Sequence, residues 1–97
     1  MSRLAVVRRW TLRDGRSESE LLDLVRYSVI PHYERLPGCL GLGLLRIRGT
    51  RSYLALQHWE SREARQSAMS SDAYPDWLAA YEPILERWND MMEFEDE

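Results

Sequence analysis

Tyr53-Leu54-Ala55-Leu56-Gln57-His58-Trp59-Glu60-Ser61-Arg62-Glu63-Ala64 changes backbone periodicity partway along its length. From Tyr53 to Glu60 the side chains alternate, with Leu54, Leu56 and His58 on one side and Tyr53, Ala55 and Trp59 on the other, which is the period of a strand. Ser61 then offers a hydroxyl as a helix N-cap, and Glu63 in the first turn favours the positive end of the helix dipole. A helix should therefore follow to about Met69, with Trp59 filling the core beneath it.

Immediately upstream, Cys39 to Arg48 alternates Gly41 and Gly43 with Leu40, Leu42 and Leu44, a strand with one face kept bare so that something bulky can approach. Gly49-Thr50-Arg51 turns the chain and makes the two strands a hairpin. Further back, Ser17-Glu18-Ser19-Glu20 matches a capping box. The helix it opens carries Leu21, Leu24, Val25, Tyr27, Ser28 and Ile30, should end or kink at Pro31, and stops by Leu36-Pro37-Gly38. Leu4 to Leu12 reads as a first strand closing on Asp14-Gly15.

Downstream, Ser71 or Asp72 starts another helix with Pro75 in its first turn and an apolar side of Trp77, Leu78, Tyr81, Ile84 and Leu85. Pro83 is expected to end or bend that helix, leaving Arg87 to Phe94 as a last strand and the acidic run Glu93 to Glu97 as a solvated tail. The order βαββαβ predicts a single α+β domain over residues 1–97, ferredoxin-like, with a four-stranded antiparallel sheet and helices on one face. Strand one carries Leu4, Val6 and Trp10 on one side and Ala5 and Val7 on the other. With both faces partly apolar, the second is expected to pack on another copy of the chain as a homodimer.

Size and composition agree. A chain of 97 residues fits one domain, and at that length only about 60 to 70% of the unfolded surface is buried, so association would help. Four Trp and five Tyr supply large buried areas. The net charge of −3 opposes a polyanionic partner, and the basic residues form no stripe, so nucleic acid is not expected. All 13 basic residues are Arg; without Lys there is no Schiff-base chemistry and no lysine-bound pyridoxal phosphate. The single Cys39 gives neither an internal disulfide nor a zinc cluster, and with no base near it in sequence it is not expected to act as a nucleophile. With no signal-type core and no stretch of about 20 apolar residues, the expectation is a cytoplasmic protein without a membrane partner.

The strand ending in Trp10, the Leu36-Pro37-Gly38 break followed by Gly41, and above all Leu56-Gln57-His58-Trp59-Glu60-Ser61-Arg62-Glu63-Ala64 followed by Ser71-Asp72-Ala73-Tyr74 resemble the antibiotic biosynthesis monooxygenase family, over nearly the whole chain. The resemblance implies the dimeric α/β barrel fold. It also implies three kinds of function: cofactor-independent oxygenases of aromatic polyphenols and quinols, haem-degrading oxygenases, and members without chemistry. The haem branch uses an Asn on the first strand and a Trp and a His on the second helical region; aligned here, those places hold Arg8, Ala68 and Leu78. None matches, so the resemblance implies no haem, metal or flavin.

For the cofactor-free branch the resemblance implies that the substrate's own phenolate supplies electrons to O₂, so the protein must bind a flat aromatic and stabilise its anion in a dry pocket. Arg8 shares parity with Leu4, Val6 and Trp10, and Arg46 with Leu40, Leu42 and Leu44; either guanidinium can hold the anion. His58 is the strand residue whose unperturbed pKa lies near neutrality, hence the candidate base. Trp10, Tyr74, Trp77 and Tyr81 are the candidate aromatic walls. Plainer roles compete. The arginines can pair with carboxylates such as Glu60 or Glu34, His58 can be a hydrogen-bonded structural residue, and Trp77 and Tyr81, four apart, can be a core stripe. Two functions stay open: a small oxygenase acting on a polyhydroxylated aromatic or quinol, and a non-catalytic dimeric ligand-binding or stress-associated domain.

Overall fold

The computed structural model describes residues 2–95. In chain order these form β1 (Leu4–Leu12), α1 (Glu18–Leu24), a π-helical segment (Val25–Val29), α2 (Ile30–Tyr33), β2 (Cys39–Arg46), β3 (Ser52–Trp59), α3 (Arg62–Met69), α4 (Tyr74–Met91) and β4 (Met92–Phe94). The sheet is antiparallel throughout with strand order β2-β3-β1-β4, which is the ferredoxin-like α+β arrangement expected from the sequence.

Both helix starts form as their sequences dictate. At α1 the Ser17 hydroxyl accepts from the Glu20 amide at 3.2 Å and the Glu20 carboxylate accepts from the Ser17 amide at 3.2 Å, a reciprocal capping box. At α3 the Ser61 hydroxyl accepts from the Ala64 amide at 2.9 Å, a cap worth about 1 kcal/mol. Trp59 lies fully buried in a small core with Leu36 and Ala68. Its loss would cost about 3 to 5 kcal/mol. Gly38 fastens the Pro-Gly turn to this junction: its φ of +84° is left-handed, and a Cβ there would stand 2.9 Å from that of Ala64.

Of the alternatives open at the two prolines, neither ends its helix. Pro31 does not stop the first helical run, which continues to Tyr33. Pro31 has no amide hydrogen for the Tyr27 carbonyl and its ring would strike that carbonyl. The turn before it widens instead, the Ile30 amide donating to the Val25 carbonyl five residues back. Pro83 sits inside α4, which runs on to Met91. Pro83 and Ala79, whose carbonyl loses its partner, are both exposed, so water takes the missing bond. On the opposite side Tyr81, Trp88 and Met91 are buried and hold the helix together. The last strand is accordingly only Met92–Phe94, not Arg87 to Phe94. Glu93 and Phe94 of the acidic run belong to it, and Glu95 pairs with Arg9 at 2.9 Å; Asp96 and Glu97 lie outside the described residues.

The main core lies between the sheet and the helices, built from Leu12, Leu21, Leu24, Tyr53, Trp88 and Met92 among others. The helix-facing side of the sheet therefore carries Leu4, Val6, Arg8 and Trp10 of β1 with Tyr53, Ala55, Gln57 and Trp59 of β3. On the other face, Val7 is 46% and Leu45 57% exposed, with Leu54 and Leu56 partly exposed beside them. No helix among the described residues is long and apolar enough to cross a membrane.

Candidate functional site

A cavity of about 150 Å³ opens between the sheet and the helices. Its floor is two cross-strand rows, Val6 beside Gln57 beside Leu42, and Arg8 beside Ala55 beside Leu44. Ala55, at the centre of the second row, leaves space that a longer side chain would occupy. Trp10 closes one end, packed edge-on against Trp88 at 5.4 Å. The roof comes from Val25 and Val29, the first and last residues of the π-helical segment, with Tyr33 of α2 and Tyr81, Leu85 and Trp88 of α4.

Four polar side chains line this apolar space: Arg8, Gln57, Tyr33 and Tyr81. Arg8 donates to the Val7 carbonyl at 3.1 Å, and among the described residues no carboxylate lies within ion-pairing distance of it. Gln57 accepts from the Trp59 indole at 3.0 Å, which fixes its carbonyl oxygen and leaves the amide NH₂ free to donate. Burial pushes the Tyr81 hydroxyl far above the usual phenol range, and a hydrogen bond to Tyr33 pushes it the same way. Burial raises Tyr33 too, although the bond with Tyr81 pulls it partly back. Both hydroxyls are therefore neutral at ordinary pH and not bases, and with one proton spent between them the pair has one free O–H donor.

An aromatic cluster holds the two tyrosines. Trp77 stacks on Tyr81 at 5.1 Å and meets Tyr33 edge-on at 5.0 Å. His32, buried, joins Trp77 by a reciprocal pair: its ring Nε2 donates to the Trp77 carbonyl at 2.9 Å, and the Trp77 indole donates to the His32 carbonyl at 2.9 Å. α2 and α4 are thus clasped at one point, which sets the height of the roof.

Of the residues singled out in the sequence, Arg8, Trp10 and Tyr81 come together in the cavity. Trp77 stands behind Tyr33 and Tyr81, and Tyr74 stacks on Trp77 at 5.6 Å; neither lines the cavity. Arg46, beside buried Tyr53, reaches Glu18 at 3.5 Å, a carboxylate other than the two anticipated. His58 is exposed on the opposite face of the sheet, between Ala5 and Gly41. Tyr33, Gln57 and Trp88 line the cavity without having been anticipated. The parity of Gln57 with Ala55 and Trp59 could have revealed it; Tyr33 lay past Pro31, where the helix was expected to end or kink, and Trp88 within the presumed last strand. Among the described residues no group of three His, Cys, Asp or Glu is placed to hold a metal.

Fold and cavity define an α+β domain with an aromatic-lined pocket under its helices. The chain belongs to the antibiotic biosynthesis monooxygenase family, whose model matches residues 3–80. The match ends before Tyr81, Leu85 and Trp88, so the part of the roof supplied by these residues lies beyond it. No curated protein matches the chain in sequence. Among solved structures, SnoaB, a cofactor-independent oxygenase from Streptomyces nogalater, is 19% identical, with 98% of this chain and 88% of that one covered at a TM-score of 0.62. A conserved protein from Methanosarcina mazei is 15% identical (96% and 88% covered, TM-score 0.61). A conserved protein of unknown function from Bacteroides thetaiotaomicron is 7% identical (97% and 92%, TM-score 0.58). At these identities the likeness is one of fold.

Proposed function

We propose that the chain is a cofactor-independent monooxygenase that oxidises a small hydroxylated aromatic in the cavity between β1 and α4. The observation that carries this reading is a guanidinium, Arg8, that among the described residues has no carboxylate partner, on the same apolar wall system as a neutral phenol pair, Tyr33 and Tyr81. Such a site stabilises a phenolate more than the phenol, because hydrogen bonds from the guanidinium and a phenol O–H are charge-assisted only when the ligand oxygen is ionised. It promotes ionisation by holding the anion, and the proton leaves to water through the cavity mouth. The ionised ring then gives electrons to O₂: a ring C–H beside the phenolate becomes a carbonyl, one oxygen atom stays on the ring as a quinone, and the other leaves as water. In this reading Arg8 holds the anion and Trp10 and Trp88 bound the ring. His58, on the far face, takes no part, and Arg46 ties the end of β2 to α1. A second copy covers the outer face, giving a homodimer.

The test follows O₂ consumption over naphthols, anthrones and hydroquinones, each against its own spontaneous rate, with the wild type and Tyr81→Phe. Turnover above background that falls in the variant supports the reading; none above background for any compound defeats it. One observation favours a second function. Among the described residues no imidazole or carboxylate lines the cavity, so the same pocket suits a binding domain without chemistry. Raised melting temperatures without O₂ uptake would be its signature, since a ligand bound to the native state alone stabilises by mass action.

A further inference from the structure

Tyr74, Trp77 and Tyr81 stand at positions i, i+3 and i+7 of α4, one face of the helix, and their rings form a continuous stack. Tyr81 lies against Trp77 with ring centroids 5.1 Å apart and an interplanar angle of 14°, and Trp77 lies against Tyr74 at 5.6 Å and again 14°. Both are direct π contacts. Tyr33 meets Trp77 edge-on at 5.0 Å. At one end of this array Tyr33 and Tyr81 line the cavity; at the other Tyr74 lies half-buried outside it. Packing alone asks only for apolar bulk on this face. Phenol and indole are also the aromatic side chains that give up one electron most readily, so the stack is a path along which an electron can move.

The two ends differ in what becomes of a proton. A phenol that loses an electron turns strongly acidic, and it settles as a neutral radical only where its proton has an acceptor. The buried Tyr81 hydroxyl faces that of Tyr33, a poor base. The Trp77 indole N–H is bonded to the His32 carbonyl at 2.9 Å; a backbone carbonyl holds that bond without taking the proton, so an electron vacancy on Trp77 is passed on and not trapped there. Half-buried Tyr74 can release its proton to water. A vacancy therefore drains from the cavity to Tyr74, and the electron runs the other way.

We propose that the stack of Tyr81, Trp77 and Tyr74 is an electron-transfer route from the surface to the cavity, which repairs radicals formed there. The inference rests on the oxygenase reading for the source of those radicals, but conduction along the stack stands on its geometry. Ground-state O₂ has two unpaired electrons and takes electrons from a closed-shell phenolate one at a time, so an aryloxyl radical is left in the cavity whenever superoxide escapes. That radical gains one electron from Trp77 by way of Tyr81 and one proton from water at the cavity mouth, and it leaves as the phenol. Tyr74 refills Trp77 with one electron and loses its proton to water. A thiol or enediol reductant in solution then returns a hydrogen atom to Tyr74. The net change moves one hydrogen atom from the reductant to the ligand radical and leaves the protein as it began.

Pulse radiolysis of the ligand-free protein in azide tests it, because the azidyl radical oxidises tryptophan in preference to tyrosine. Indolyl-radical absorption should give way to phenoxyl-radical absorption in a first-order step whose rate does not change with protein concentration. Spin trapping after that step, followed by peptide mass spectrometry, should place most of the tyrosyl radical on Tyr74 and not on Tyr27, which at 69% is far more exposed. In Tyr74→Phe the trapped radical should move to Tyr81 or Tyr33. Trp77→Phe, with the circular dichroism of the fold retained, should lose the labelling of Tyr74. Absence of the first-order step, labelling that falls mainly on Tyr27, or labelling of Tyr74 that survives Trp77→Phe overturns the proposal. If Trp77→Phe does not fold, the wild type and Tyr74→Phe decide it. O₂ uptake is read separately. Conversion of the radical without O₂ uptake over any phenol defeats the oxygenase reading and leaves the route standing; O₂ uptake without conversion defeats the route alone.

Discussion

Tyr33 and Tyr81 meet edge to face across the gap between α2 and α4, their ring centroids 5.3 Å apart and their planes at 83°. Burial raises the pKa of both, and that of Tyr53, beneath α1 and bonded to Glu18, is pushed up to about 12. In the unfolded chain each phenol ionises near pH 10. The folded-state values are raised, so this contribution to stability is fully present below about pH 10 and is lost as pH rises through the folded-state values. Absorbance at 295 nm should show these tyrosines ionising late, and the urea midpoint should hold steady to about pH 9.5 and then fall. Tyr81→Phe should remove part of that fall. A midpoint that does not change between pH 9 and 12 would contradict the burial of the pair.

Arg8 and His58 lie on opposite faces of the sheet, which separates their expected phenotypes. Arg8 is exposed at the cavity and among the described residues makes no ion pair, so Arg8→Leu should change stability by no more than about 0.5 kcal/mol. It should nonetheless weaken binding of an ionised phenol more than of its methyl ether. His58→Ala should leave turnover within about twofold of wild type, against the roughly 10² to 10⁴ fold loss expected if it served as the base. A loss of that size on His58→Ala would place the chemistry on the outer face instead. Arg46→Leu, which breaks an exposed contact with Glu18, should cost no more than about 1 kcal/mol and leave ligand charge preference unchanged.

The parts of the site legible in the sequence are those on uninterrupted strands. Alternation along β1 puts Arg8 with Val6 and Trp10, and the same alternation along β3 puts His58 with Leu54 and Leu56. What alternation does not carry is which side faces the helices, because Leu54 and Leu56 are as apolar as Tyr53 and Ala55. The helical half is less legible. Proline reads as a stop in sequence, whereas its real cost depends on where the missing bond points. At Pro83 that bond faces water, so α4 continues and delivers Trp88 to the roof. At Pro31 the helix widens by a residue, so Tyr33 reaches the cavity. The capping box, the Ser61 cap and the Trp59 junction, which depend only on neighbours in sequence, form as written.

That widening makes Pro31 a determinant of the cavity. With Ala at this position the Tyr27 carbonyl regains a donor four residues on, and the π-helical turn can tighten to an α-helical one. One residue fewer in the turn rotates everything after it by about 100°, carrying Tyr33 away from Tyr81. Pro31→Ala should therefore lower the melting temperature, because His32 turns off Trp77 along with Tyr33, and lose ligand-induced melting shifts. Retained shifts of wild-type size would mean that the turn is held by packing of Val25 and Val29 alone.

Assembly is tested on the outer face of the sheet. Two cross-strand rows there, Val7 beside Leu56 beside Gly43 and Arg9 beside Leu54 beside Leu45, place partly exposed aliphatic side chains around a glycine that leaves its strand bare. A sheet face of this extent, if covered, makes an interface on the order of 2,000 Å² or more in total, in the range of obligate dimers. Two-fold symmetry brings the same patch against itself, so each substitution enters the interface twice. Light scattering at micromolar concentration should give twice the chain mass of 11.5 kDa. Val7→Glu should shift the mass toward monomer, because burying the carboxylate without a partner costs several kcal/mol per copy. The same change should lower the melting temperature and weaken the dependence on protein concentration that a dimer's melting shows. Arg3→Glu, at an exposed position ahead of β1, serves as a charge control that should leave the mass unchanged. A wild-type mass of one chain at these concentrations would overturn the homodimer and leave Val7 and Leu45 as solvated residues.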